Sequence, residues 1–419
     1  MSFIADLHLH SRYSRATSRE MGVESLARWA RKKGIALLGT GDFTHPTYFA
    51  ELKAKLAPAE PGLYRLKNGE QAVRFILQVE VSNVYQEGGR LRKIHTLVYA
   101  PSLQAAERLN ATLGRRGKLL ADGRPTFGFS VKELCRIVFD VSPDSVLVPA
   151  HAWTPWFSVF GSQSGFDSLQ EAFDGHLDRI FALETGLSSD PPMNWRLSAL
   201  DDITLMSNSD AHSPSRLGRE CNVFAEALDY WELWEAVRTR DPRRFLYTVE
   251  FFPEEGKYHL DGHRACGVRT TPAETQAYGQ RCPVCQRPLT VGVLHRVEEL
   301  ADGPAGRTPD GAIPFKRLVP LEEIIAAAIG QGVGTGAVRE EYGRLVAAGG
   351  SELAILLELS QEDLRSFVPP RVLEAILRVR EGRLTIAPGY DGVYGTINIF
   401  GEEAMEATSP SRAAQMHLF

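Results

Sequence analysis

Apolar runs of four or five residues recur along roughly the first 245 positions, with helical spacing between them. Ser2–Ala5, Ile35–Gly39, Phe75–Val79, Ser145–Pro149, Ile180–Leu183 and Ile203–Ser207 each read as a buried strand. Val23–Lys33 repeats its apolar residues at intervals of three and four, which predicts a helix between the first two strands. Such alternation predicts parallel strands joined by helical crossovers, hence an α/β fold with a seven- or eight-stranded barrel. From 246 to 310 the pattern shifts to Gly, Pro and paired Cys, and from 311 to 419 helical periodicity returns, broken at Gly334, Gly349–Gly350 and Pro369–Pro370. The expected organisation is a barrel over 1–245, a metal-stapled module over 246–310 and a mainly helical C-terminal domain over 311–419 with a frayed tail.

The chemistry-bearing residues follow the strand-like runs. Asp6 and the pair His8, His10 follow the first, Asp42 and His45 the second, and Glu80 the third. His95 stands alone, His151 follows Pro149, and Asp210 and His212 follow Ser207. In a parallel barrel, side chains at the C-terminal strand ends build the active site. His-x-His on a strand puts both imidazoles on one face, because strand side chains alternate. Any one of these residues alone reads more simply as a core histidine or a helix cap. Together, at strand ends, they predict metal ligands, with Glu80 as a carboxylate bridging two ions and metal-activated water as the chemistry.

Composition changes the picture only in part. The formal net charge of −5 argues against general nucleic-acid coating, although Arg12, Arg15 and Lys93 can line a local basic groove. No apolar run reaches the length of a membrane span, and the first residues lack the features of a signal peptide, so a cytoplasmic protein is expected. Three of the five cysteines cluster: Cys266 and the pair Cys282, Cys285. With His263 they form two x₂ knuckles separated by 15 residues, the spacing of one structural Zn²⁺ site, with His259 competing as the nitrogen ligand. Cys135 and Cys221 lie in apolar patterns and are expected in the core.

The order Asp-x-His-x-His, Gly-Asp, Glu, two separate His and Asp-x-His resembles the polymerase-and-histidinol-phosphatase superfamily of metallophosphoesterases. By that resemblance His8, His10, Glu80 and Asp210 hold one metal, and Glu80, His95 and His151 a second. A third would draw on His212, Asp42 and His45, but Arg12–Arg15 and Phe43 stand where the family often carries further histidines. The cofactors implied are two or three divalent metals in the barrel (Zn, Mn, Fe or Mg) plus the structural Zn, with Asp210, Glu80 and Asp42 as catalytic residues.

Adding Lys257–Arg264 with the knuckles, Gly292–Ala301 and Pro388–Gly395, the whole chain is similar to the endonuclease Q family. That resemblance implies a DNA repair nuclease cutting on the 5′ side of deaminated bases (uracil, hypoxanthine, xanthine) or abasic sites. Its partners would be damaged DNA and repair or replication proteins, and a monomer is expected. Arg12, Arg15, Lys93, Trp153, Trp156 and Arg264 are the candidate DNA contacts, the tryptophans by stacking on an extruded base. A small-molecule phosphate monoesterase and a non-catalytic DNA-binding scaffold are the alternatives.

Overall fold

The computed structural model describes residues 3–401; the tail expected to fray lies outside them. Seven strands surround the core that carries the site. β1 (Phe3–Asp6), β2 (Leu37–Gly39) and β3 (Arg74–Glu87) pair in parallel, as the alternating pattern predicted. The crossover between β1 and β2 is α1 (Val23–Lys33). It buries Val23, Leu26, Ala27 and Ala30 on one stripe and stops at Gly34, whose φ of 88° is the left-handed cap glycine favours.

The next strand departs from the parallel expectation. β4 (Arg90–Ala100) returns antiparallel to β3 along its full length. The cause is the turn: Gly88 and Gly89 both take positive φ (59° and 73°), a two-residue hairpin with no room for a crossover helix. α2 (Pro46–Lys55) precedes this hairpin, while α3 (Leu103–Gly114) and α4 (Val131–Val141) follow it. β5 (Thr126–Phe127) adds a short parallel pairing to β3 at Ser82 and Asn83. β6 (Val146–Pro149) then runs antiparallel to β4, and β7 (Ala182–Glu184) pairs in parallel with β8 (Thr204–Met206). β9 (Cys221–Phe224) and β10 (Phe245–Glu250) are antiparallel additions on the other side of β1.

The ring of β1, β2, β3, β4, β6, β7 and β8 is not closed by a continuous ladder, so the barrel is distorted and open in its backbone. Side chains bridge the gaps. Between β6 and β7, Glu184 accepts His151 N–H at 2.8 Å while its carbonyl accepts Ala152 N–H at 3.0 Å. Between β8 and β1, the Asn222 amide bonds both Ser207 backbone groups (2.7 and 3.1 Å) and donates to Asn208 Oδ1 at 2.9 Å. Asn208 Oδ1 also accepts Leu7 N–H, at 2.9 Å.

Beyond β10 the chain passes through the Cys-bearing segment to α5 (Val293–Leu300) and α6 (Leu321–Ile329), α7 (Gly336–Gly349) and α8 (Pro370–Arg380). Leu321, Ile324, Ile325, Leu345, Val372 and Ile376 join the same apolar core as the barrel helices. One buried ion pair joins the two parts: Lys33 Nζ lies 2.6 Å from Glu352 Oε2, with the side chains 3% and 5% exposed. Among the described residues no helix is long and apolar enough to cross a membrane.

Candidate metal centre and cleft

Glu80 lies in the middle of the 14-residue β3 and His95 within β4, rather than at strand ends. The register explains why they meet. His95 pairs with Ser82, which shares a face with Glu80, so both side chains point to the same side of the hairpin. His8 and His10 follow β1, where an isolated bridge from Leu9 to Ala211 brings Asp210 alongside.

Glu80 faces two groups at once. Its Oε2 lies 3.8 Å from His8 Nε2 and 3.1 Å from His10 Nε2. Its Oε1 lies 2.6 Å from His95 Nδ1 and 2.9 Å from His151 Nε2. Asp210 Oδ1 completes the first group at 3.5 Å from His8 Nε2 and 3.3 Å from His10 Nε2. The two sets, His8 with His10 and Asp210, and Glu80 with His95 and His151, each gather their ligand atoms within 4.8 Å of one another.

His8 Nε2, His10 Nε2 and Asp210 Oδ1 are buried without a hydrogen-bond partner, so their approach is convergence on a point rather than mutual bonding. An unpaired buried polar atom costs about 1–3 kcal/mol, and a cation at that point would satisfy all three. The nitrogen and carboxylate donors suit Zn, Mn or Fe. The carboxylates around the first group favour a positive charge there, whether a proton or a metal ion. Burial disfavours charge on His8 and His10, but carboxylates (Glu184 and Asp210 for His8, Asp210 and Asp42 for His10) outweigh it and hold both pKa values well above normal. Burial would raise Glu80, yet the Arg124 guanidinium and hydrogen bonds from His10 and His151 hold its carboxyl well below the usual range. Burial pulls His95 down to about 4, leaving a neutral imidazole ready to ligate. Burial also lifts Asp6 to about 6 while its oxygens accept Ser209 N–H and Gly218 N–H, so it braces the Asp210 loop.

Orienting groups stand behind the ligands. Glu184 takes His8 Nδ1 at 3.0 Å from both oxygens, and Asn208 Nδ2 donates to it at 2.9 Å. Asp42 Oδ1 lies 3.2 Å from His10 Nδ1, and its Oδ2 accepts Ser11 N–H, Ser11 Oγ–H and Ser14 Oγ–H. Such contacts fix ring orientation and tautomer. Asp42, expected as ligand and catalytic group, therefore sits behind His10 rather than among the gathered ligand atoms. Asp42, His151 and Asp210 all take positive φ (41°, 29° and 46°), unfavourable backbone that accumulates at functional sites.

The residues expected for a third ion are not brought together. His45 caps α2, accepting Tyr48 N–H at 3.4 Å, and its ring stacks on Tyr13 at 4.4 Å. His212 adjoins the first group, with its ring 4.6 Å from His10 and Nδ1 3.6 Å from Asp210 Oδ1.

The knuckles do converge. His263, Cys266, Cys282 and Cys285 gather in one cluster, with Cys285 Sγ 3.4 Å from His263 Nδ1. His259 lies elsewhere, buried on the wall of a cavity. The cluster is tied to α5 through Asp261, which accepts Gly292 N–H at 2.7 Å and meets His295 Nδ1 at 2.6 Å. Asp391, in the Pro388–Gly395 turn, accepts Arg264 N–H at 2.7 Å and Thr290 Oγ–H at 2.6 Å.

The candidate DNA contacts divide. Trp153 is 1% exposed and donates to Asn194 Oδ1, so it packs the core and offers no stacking face. Trp156 is 44% exposed and helps line a cavity of about 680 Å³ with Arg216, Arg219, Tyr258, His259 and Tyr394. Arg12 is engaged by Glu51, Arg15 projects beside Asp122, and Lys93 lies over the Phe157 ring. Arg264 is exposed. Two groups at the site were not among the expected site residues, although the sequence does place Glu184 after an apolar run. Glu184 ends the apolar strand Ala182–Glu184, a signal that could have found it, whereas Arg124, 2.9 Å from Glu80 Oε2, sits in a loop with none.

Comparison with known proteins gives this geometry a lineage. The MJ0043 C-terminal domain family matches residues 320–383. The Bacillus subtilis protein YqxK is 30% identical over 407 residues, covering 94% of this chain and 98% of that protein. The Methanocaldococcus jannaschii protein MJ0043 is 34% identical over 255 residues, covering 59% of this chain and 31% of that protein. Among solved structures, the lesion-specific endonuclease PfuEndoQ from Pyrococcus furiosus superposes with a TM-score of 0.85 at 32% identity, covering 98% of this chain and 100% of that one. An endonuclease Q complexed with a 27-mer duplex bearing an abasic lesion at the active site gives 0.83 at 33% identity, covering 96% and 98%. Identity at this level over nearly the full length of both chains makes this protein a member of the endonuclease Q family.

Proposed function

We propose that the chain is a DNA repair endonuclease that hydrolyses the phosphodiester on the 5′ side of a deaminated base or an abasic site, acting on cellular DNA in the cytoplasm. The observation that carries this reading is the position of Glu80, one oxygen turned to each of two convergent ligand groups, in a chain similar end to end to a lesion-specific endonuclease. His8, His10 and Asp210 would hold one divalent cation and His95 and His151 another, with Glu80 between them; His263 and the three cysteines would hold a structural zinc. Divalent cations bound there would supply an acidified water and offset charge building on the phosphoryl oxygens.

The chain's own residues do the rest. Glu184 and Asp42 hold the His8 and His10 rings so that Nε2 of each faces the centre. The cavity beside Trp156 is wide enough to receive an unpaired nucleotide, and a mispaired or missing base is the cheapest to extrude. Its aromatic and arginine groups would hold the nucleotide and its flanking phosphates.

The test is a labelled duplex carrying one deoxyuridine, deoxyinosine or abasic site, incubated with protein and divalent metal. A cut on the 5′ side of the lesion, lost in Asp210→Ala, is expected. An intact duplex alongside turnover of a small phosphate monoester would overturn the reading.

A further inference from the structure

Arg124 is the cation that the metal groups do not account for. Its Nη1 lies 2.9 Å from Glu80 Oε2, the oxygen that also faces His8 and His10. Those three side chains are fully enclosed, whereas Arg124 and Asp210 are each 27% exposed. These two therefore mark where solvent, and any substrate, reaches the first ligand group.

The backbone around Arg124 is fixed from both sides. Gly123 N–H donates to Tyr13 C=O at 3.0 Å, and Gly123 lies against Asp42, where an added Cβ would fall 2.3 Å from Oδ2. Arg124 N–H donates to Asp122 Oδ1 at 3.2 Å, and Pro125 C=O accepts Ser82 N–H at 2.9 Å, two residues along the strand from Glu80. The guanidinium itself is held in place by the hydrogen bond to Glu80. It carries five donors in a planar fork matched to phosphate, and the contact with Glu80 occupies one edge.

We infer that Arg124 is a catalytic residue: braced on Glu80, its guanidinium binds a non-bridging oxygen of the phosphodiester that is cut. This rests on the endonuclease reading. Arg124 transfers no proton. It places the phosphate against the ligand groups and meets the negative charge that grows on the phosphoryl oxygens as the new bond to phosphorus forms.

The experiment compares two abasic duplexes, one with a natural phosphate at the scissile position and one with an uncharged methylphosphonate there. Binding is measured in an Asp210→Asn background, which holds off cleavage, with Arg124 and with Arg124→Ala; metal content is measured for both proteins. With Arg124 present the natural duplex should bind roughly ten-fold or more tightly than the methylphosphonate. With Arg124→Ala that preference should shrink several-fold, at unchanged metal content. Equal discrimination with and without Arg124 overturns the assignment. Discrimination lost together with metal also overturns it, making Arg124 a brace for Glu80 alone. An otherwise wild-type protein that neither binds nor cuts the abasic duplex sinks the endonuclease reading itself, a result distinguishable from either.

Discussion

Replacing Glu184 by Gln is the most direct test of how the metal centre is held. The carboxylate serves three donors: His8 Nδ1–H at 3.0 Å from both oxygens, His151 N–H at 2.8 Å on Oε2 and Asn208 Nδ2 at 2.9 Å on Oε1. A glutamine offers one oxygen and one NH₂. Whichever way it turns, its NH₂ meets the Asn208 amide or the His151 N–H, and one buried donor loses its acceptor. That costs about 1–3 kcal/mol, and groups of this kind change metal affinity by about 10–100-fold. At 1.4 kcal/mol per decade the two figures agree. The assay is a chelator competition reporting metal affinity of the barrel centre, with circular dichroism and a melting curve as controls for fold. Glu184→Gln binding metal within about two-fold of the parent would refute the argument that His8 owes its orientation to this carboxylate.

Other consequences follow from other parts of the molecule. Lys33→Met strands Glu352, which keeps only the Leu321 N–H and Tyr342 hydroxyl, and should cost about 3–5 kcal/mol in urea unfolding. Lys33→Met with Glu352→Leu should recover most of that loss. Burial raises Glu250 from 4.5 to about 8, so the folded state retains a proton that the unfolded state has released. Its contribution to stability is complete below pH 4.5 and lost as pH rises through 8. The stability of Glu250→Gln relative to the parent should therefore climb across that window, as melting curves would show. Cys282→Ser should lose one equivalent of zinc by elemental analysis, and unchanged zinc would remove Cys282 from the cluster.

Much of the site was legible because its periodicities are local. His8 and His10 two apart, and Cys282 and Cys285 three apart, announce a shared face and a knuckle without any tertiary knowledge. Glu80 was found for an incomplete reason. Its apolar run suggested a strand end, but the run continues through a two-glycine hairpin that only the turn conformation reveals. Trp153 and Trp156 are three residues apart in one loop, and nothing local distinguishes the core side chain from the exposed one. Lys33 reads as the surface end of a basic helix, and its burial depends on Glu352, more than three hundred residues away in sequence. Arg124 depends in the same way on a loop pinned by Tyr13 and Ser82.

The open ladder of the barrel has a thermodynamic consequence. Glu184 closes the seam between β6 and β7 with the same oxygens that orient His8. Closing that seam and ordering the ligand group are therefore one event, and linkage makes their coupling reciprocal. A cation that tightens the His8 group must also tighten the seam. Amide exchange along β7 and β8 should then slow when the centre is loaded, by more than in the laddered β3–β4 hairpin.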